Sequence, residues 1–112
     1  MDLDSLQAQA ILATINAIPA GRLSTYGLIA KAAGFPGNAR LVGQILKNLP
    51  EGSEIPWFRV INAQGKISFP SASANYLRQL SALQAEGHPA TLGKHYLIEK
   101  LWPSPSSTQE IL

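Results

Sequence analysis

Asn38-Ala39-Arg40-Leu41-Val42-Gly43-Gln44-Ile45-Leu46-Lys47-Asn48-Leu49 has the clearest periodicity in the chain. At about 100° per residue, Leu41, Val42, Ile45, Leu46 and Leu49 fall on one side of a helix. Arg40, Gly43, Gln44, Lys47 and Asn48 fall on the other. Asn38 stands where an N-cap belongs, so the pattern predicts a helix from Ala39 to about Leu49. One face packs. The opposite face offers cations and amides and no acid, and Gly43 lets a partner come close.

Working back from that helix, Gly34-Phe35-Pro36-Gly37 is a breaker cluster, short enough only for a tight connection. Before it, Ser24 is a good N-cap for a helix from Thr25 to about Ala33, with Leu28, Ile29 and Ala32 on its apolar side. Two short helices joined by a glycine-containing turn, the second with a basic outer face, form the helix-turn-helix pattern. An ordinary amphipathic pair would share the inner face, so the pattern alone leaves both readings open. Further upstream, Asp4-Ser5 caps a first helix whose Ala8, Ile11, Leu12, Ile15 and Ile18 make one buried face, ended by Pro19. That helix reads as scaffold.

Working forward, Ile55-Pro56-Trp57-Phe58-Arg59-Val60 turns the chain. Pro56 fixes φ and removes a donor, and Arg59-Val60-Ile61 has the β-branched content of a short strand. Trp57, beside that turn, is either core or the wall of a pocket. Asn62-Ala63-Gln64-Gly65 is a turn, after which Lys66 to Phe69 is expected to pair back on Arg59 to Ile61 as a small hairpin. A hairpin in this place is the usual shape of a wing, and its Lys66 either reaches phosphate or solvates an exposed edge. Pro70-Ser71-Ala72-Ser73 leads into a fourth helix with a buried stripe of Tyr76, Leu77, Leu80 and Leu83, stopped by Gly87. Lys94 to Trp102 adds a short packed segment. The reading is one domain over residues 1–102, with a flexible Pro- and Ser-rich tail over 103–112.

Composition narrows the function classes. The chain has 112 residues, 46% of them hydrophobic and 14% charged, enough to bury a core. It has no cysteine, which removes disulfides, thiolate metal sites and any thiol nucleophile. His88 and His95 are isolated, so no metal site is expected. There is no phosphate-binding Gly-Lys-Ser/Thr loop and no evident carboxylate pair or triad, so no cofactor and no catalytic residue is assigned. No apolar run suits a membrane span, and a cytoplasmic monomer is the default. The formal net charge is +2, unevenly spread. No acid lies between Asp4 and Glu51, a stretch that carries Arg22, Lys31, Arg40 and Lys47. That asymmetry suggests an anionic partner, with nucleic acid first.

Ile55-Pro56-Trp57-Phe58-Arg59-Val60 resembles the Ile-Pro-Cys-His-Arg-Val active-site motif of the O6-alkylguanine-DNA alkyltransferases, with Trp57 where the cysteine would stand. The nearest group within that family is the alkyltransferase-like proteins, which carry tryptophan there and bind alkylated guanine without repairing it. The resemblance runs from about Ile11 to Gly87. Thr25-Tyr26-Gly27 resembles the family's Ser-Tyr-Gly segment, and Asn38-Ala39-Arg40-Leu41-Val42-Gly43 its Ala-Ala-Arg-Ala-Val-Gly. The fold implied is α+β and mainly helical, a winged helix-turn-helix like the C-terminal domain of those enzymes. It enters the minor groove and flips the target guanine into a pocket.

The resemblance also implies roles. Tyr26 presses on the phosphate 3′ to the target. Arg40 is the finger that fills the vacated space. Thr25 and Ala39, within the matching segments, and Gly43, Gln44 and Lys47, on the outer helix face, are expected to join them at the DNA surface. Pro56, Trp57, Val60 and Ser71, with Tyr26, line the lesion pocket. Asn48, Arg59 and Glu86 support it. Phe58 departs from the usual histidine, and Ser68-Phe69-Pro70-Ser71 from the repair enzymes' Gly/Asn-Tyr-Ser loop. The implied function is a non-enzymatic sensor of O6-alkylguanine in double-stranded DNA that hands lesions to nucleotide excision repair proteins. The alternative is a winged-helix transcriptional regulator that reads intact DNA.

Overall fold

The computed structural model describes residues 1–104. In chain order it has α1 (Leu6–Asn16), β1 (Ser24–Thr25), α2 (Tyr26–Ala32), α3 (Ala39–Lys47), a single 3-10 turn (Trp57–Arg59), β2 (Val60–Ile61), α4 (Ala74–Ala85) and α5 (Lys94–Lys100). Pro103 and Ser104 are exposed, and the rest of the expected tail lies outside the described residues.

Local chemistry explains most of the boundaries. Ser5 caps α1, its hydroxyl accepting from the Ala8 N–H at 3.1 Å. Ser73 caps α4 in the same way through Tyr76 N–H, also at 3.1 Å. The cap of α2 is Thr25 and not Ser24: the Thr25 hydroxyl accepts from Leu28 N–H at 3.2 Å. The reason is tertiary. Ser24 and Thr25 pair with Val60 and Ile61 as two parallel rungs, so the helix starts one residue later than local preference suggests. Helix α3 ends at Lys47, two residues short of the expected Leu49.

That parallel pairing also corrects the expected hairpin. β2 is laddered to β1, and no strand forms over Lys66 to Phe69. The turn itself is present. The Asn62 side chain accepts from the N–H groups of Gln64 and Lys66, both at 3.0 Å, and Asn62 N–H donates to Lys66 carbonyl at 3.0 Å. After that single closure the chain leaves the sheet. The physical reason is burial: Val60 and Ile61 are 1% and 0% exposed, an interior site where the ladder partner is the equally buried β1. On the far side of β1, Leu23 bridges Leu101, with Leu23 N–H to Lys100 carbonyl at 3.0 Å and Trp102 N–H to Leu23 carbonyl at 2.8 Å.

The core has two parts. Ile11, Ile15 and Ile18 pack with Ile29, Ala30, Val42, Ile45 and Val60, and Trp102 lies against this group. Leu23, Ile61, Leu83 and Leu97 form the second, with Phe58 and Ile67 beside it. α4 departs from its expected stripe. Leu77 is 54% exposed, while Gln79 is 2% exposed. Two residues apart on a helix means nearly opposite faces, and the inward line runs through Gln79 and Leu83. Of the two histidines, His88 is buried with Nδ1 2.6 Å from the Tyr96 hydroxyl, and burial lowers its pKa. His95 is exposed and faces Glu99 on the next turn of α5. Among the described residues no group of His, Cys, Asp and Glu could hold a metal ion, and no helix is long and apolar enough to cross a membrane.

Candidate nucleic-acid interface

The outer face of α3 looks onto a cavity of about 630 Å³, within the range of small-molecule sites. Its walls come from three places. Tyr26 enters from the first residue of α2. Ala39, Arg40, Gly43, Gln44, Leu46 and Lys47 come from α3. Trp57, Val60, Ser68, Phe69, Pro70 and Gln79 close the other side. Arg40, Gln44 and Lys47 are exposed, and Tyr26 and Trp57 are half-buried. Among the described residues Arg40 and Lys47 have no side-chain hydrogen-bond or ion-pair partner.

Trp57 is set by the turn that Pro56 begins. Pro56 lies at φ −77° and ψ 62°. Arg59 N–H then returns to Pro56 carbonyl at 3.1 Å, which closes the 3-10 turn. The indole meets Phe58 and Phe69 edge-on, at centroid distances of 6.1 and 6.4 Å, a favourable aromatic geometry. Phe58 turns away toward the second core group, with the Arg59 guanidinium 5.3 Å from its ring.

Arg59 and Glu86 form a scaffold beneath the turn. Arg59 Nε donates to both Glu86 carboxylate oxygens, at 3.0 and 3.1 Å, and Nη2 donates as well. Arg59 Nη1 reaches Ile18 carbonyl at 2.8 Å, and Glu86 accepts from Gly21 N–H at 3.2 Å. Both side chains are about one-sixth exposed, at 16% and 15%. The guanidinium hydrogen bonds hold the Glu86 carboxyl below its ordinary pKa, against the opposing effect of burial.

Of the expected site residues, Tyr26, Ala39, Arg40, Gly43, Gln44, Lys47, Trp57 and Val60 meet at the one cavity. Arg59 and Glu86 lie beneath the turn as the expected support, and four more do not line the cavity. Thr25 is buried and occupied as the cap of α2, because its strand runs inside. Pro56 is buried beneath the turn. Ser71 belongs to a separate cleft of about 250 Å³ with Lys66, Ile67 and Tyr76, and Ser68 stands at the α3 cavity instead. The loop leaves β2 earlier than a hairpin would, which shifts its register. Asn48 donates back to Gln44 carbonyl at 2.8 Å and closes its own helix end, so among the described residues it makes no bond to the Trp57 turn.

Gln79 escaped the sequence reading. Its amide nitrogen donates to the carbonyls of Phe58 and Val60, both at 3.0 Å, and so pins the turn to α4. The available signal was its spacing: it lies three residues after Tyr76 and four before Leu83, on the buried stripe.

Residues 7–88 match the model of the 6-O-methylguanine DNA methyltransferase DNA-binding domain. The chain belongs to this family. Within it, the chain is similar to the DNA base-flipping protein of Vibrio parahaemolyticus, at 54% identity over 93 residues, covering 82% of this chain and 91% of that one. It is also similar to Schizosaccharomyces pombe Atl1 in its crystal structure with damaged DNA containing O6-carboxymethylguanine. There the TM-score is 0.77 at 37% identity, covering 91% of this chain and 98% of that one. The Mycobacterium tuberculosis OGT structure with DNA gives a TM-score of 0.62 at 34% identity, covering 73% of this chain but 49% of that one. The shared part is the DNA-binding domain of the methyltransferase family. In this winged helix-turn-helix architecture α2 and α3 are the two helices joined by the turn.

Proposed function

We propose that this protein senses O6-alkylguanine in double-stranded DNA by flipping the base into the α3 cavity, without removing the alkyl group. The observation that carries the reading is the convergence of Tyr26, Arg40 and Trp57 on one cavity in a chain that has no cysteine. Arg40 stands free at the rim. A long planar cation can enter a base stack and hydrogen-bond the orphaned partner base. Flipping costs on the order of a few kcal/mol of stacking and pairing, and a rim that supplies a substitute for the missing base offsets it. Tyr26 faces the flipped nucleotide's phosphate. Lys47 and Gln44 extend the contact along the backbone, so affinity falls with salt.

Inside the cavity, Trp57 supplies an apolar face and an indole N–H. Transfer of the alkyl group needs a thiolate at this position and a proton relay beside it. Trp57 supplies no thiolate and Phe58 no relay, so the lesion stays bound and unrepaired. The relatives' names, base-flipping and alkyltransferase-like, agree with a non-catalytic role. The stable complex then marks the site for nucleotide excision repair proteins, an extension that rests on the family resemblance. Residues 1–102 act as one unit in this reading, supported by Trp102 packing on the first core group.

The test is competition binding, at one stated salt concentration, between a duplex with a single O6-methylguanine and the same duplex with guanine. Preference for the lesion across several flanking sequences is the expected result. Equal binding to both would leave a general DNA-binding winged helix and return Trp57 to the core.

A further inference from the structure

Trp57 has a cavity on each side. Behind it, away from Tyr26 and Arg40, lies a second space of about 400 Å³ bounded by Leu49, Pro50, Glu51, Gly52, Ser53, Asn75 and Arg78. Leu46, Lys47, Trp57 and Phe69 line both cavities. The indole, edge-on to Phe69, thus stands with these side chains on the partition between them.

We propose that this second cavity receives the distal end of a long, anionic O6 substituent and that Arg78 selects it; the proposal rests on the lesion-sensing reading above. A methyl group on a guanine in the α3 cavity ends before the partition. A chain of several carbons has to pass Trp57, and the space it enters is polar. Lys47 and Arg78 are both exposed there, and among the described residues neither has a hydrogen-bond or ion-pair partner. Glu51 is the one opposing charge on the lining. Arg78 presents a planar fork that matches a carboxylate side-on. The backbone that carries it is held: the next residue, Gln79, is bonded to the carbonyls of Phe58, within the Trp57 turn, and Val60, just after it. The guanidinium is thus carried on a backbone tied to the partition it serves.

The test is competition binding of the full chain to four duplexes that differ at one guanine: unmodified, O6-methyl, O6-carboxybutyl, and O6-carbamoylbutyl, the neutral amide of matching length. Wild type is expected to prefer the acid over the amide by about threefold to fivefold at low salt, the scale of an exposed ion pair. Arg78→Ala should abolish that preference and Arg78→Glu reverse it, with O6-methylguanine binding unchanged in both. Equal wild-type affinity for acid and amide, with the O6-methyl preference intact, would overturn this proposal and leave the sensing function standing. An equal loss on all four duplexes in Arg78→Ala would also overturn it, because it would make Arg78 a phosphate contact. Loss of the O6-methyl preference itself in wild type would instead strike the sensing function.

Discussion

Arg59 meets Glu86 side-on, its Nε 3.0 and 3.1 Å from the two carboxylate oxygens and its Nη2 completing the pair. The pair joins the Trp57 turn to the end of α4, and through Ile18 carbonyl and Gly21 N–H to the end of α1. Removing one partner leaves a largely buried charge. Arg59→Ala is expected to lower unfolding free energy by about 3 kcal/mol, read by urea denaturation at neutral pH.

The same pair sets an acid limit. Glu86 has a folded pKa below its ordinary value of 4.5. Its contribution is full above that value and disappears as pH falls through the folded one. His88 acts in the same direction but earlier, since burial lowers its pKa from 6.5 and stability begins to fall below that pH. Denaturation curves across pH should show both limbs. Glu86→Gln should be less stable at neutral pH and should flatten the limb below 4.5. An unchanged acid limb would contradict the role given to Glu86.

Gln79→Leu leaves the Phe58 and Val60 carbonyls without their donor. Burying unpaired acceptors costs about 1–3 kcal/mol, and urea midpoints should fall accordingly with an unchanged slope. A neutral result would mean that water replaces the amide at those carbonyls.

Arg40→Ala should leave the melting temperature within about a degree, because Arg40 is exposed and has no partner among the described residues. Lesion affinity should drop by about tenfold or more, since refilling the stack offsets a cost of a few kcal/mol. Tyr26→Ala should reduce the fluorescence rise of a base analogue placed at the target, which reports extrusion directly. Wild-type affinity in the first variant, or a wild-type signal in the second, would remove that residue from the flipping step.

Trp57→Cys should restore no efficient repair, because Phe58 remains where a histidine would relay the proton. Transfer of a labelled methyl group from a damaged duplex to the protein is the readout. Rapid labelling of the single variant would show that the thiol alone suffices.

The sequence made the α3 face legible because one helix buries Val42 and Ile45 and exposes Arg40, Gln44 and Lys47, a contrast that periodicity records. Ser5 was legible as a cap because capping is local. The parallel rungs Ser24–Val60 and Thr25–Ile61 were not, since two-residue strands far apart in the chain leave no alternation to count. That omission displaced the cap of α2 and suggested a hairpin. The place of Ser68 rather than Ser71 at the cavity follows from the path of the loop. Gly65, at φ 79°, lies so close to Gly93 and Lys94 that a Cβ there would meet their backbone. No pattern within the loop announces a neighbour that distant in sequence.

The two rungs between β1 and β2 have a mechanical consequence. Tyr26 follows β1 directly and Trp57 comes just before β2, so the ladder sets their spacing as the rivet of a caliper sets its jaws. A gauge of fixed opening does not adapt to what it measures. In the proposed reading the compliance comes from the duplex, so the step flanking a lesion should contribute to recognition through its stiffness, with pyrimidine–purine neighbours, which kink at lower cost, admitting the gauge more readily.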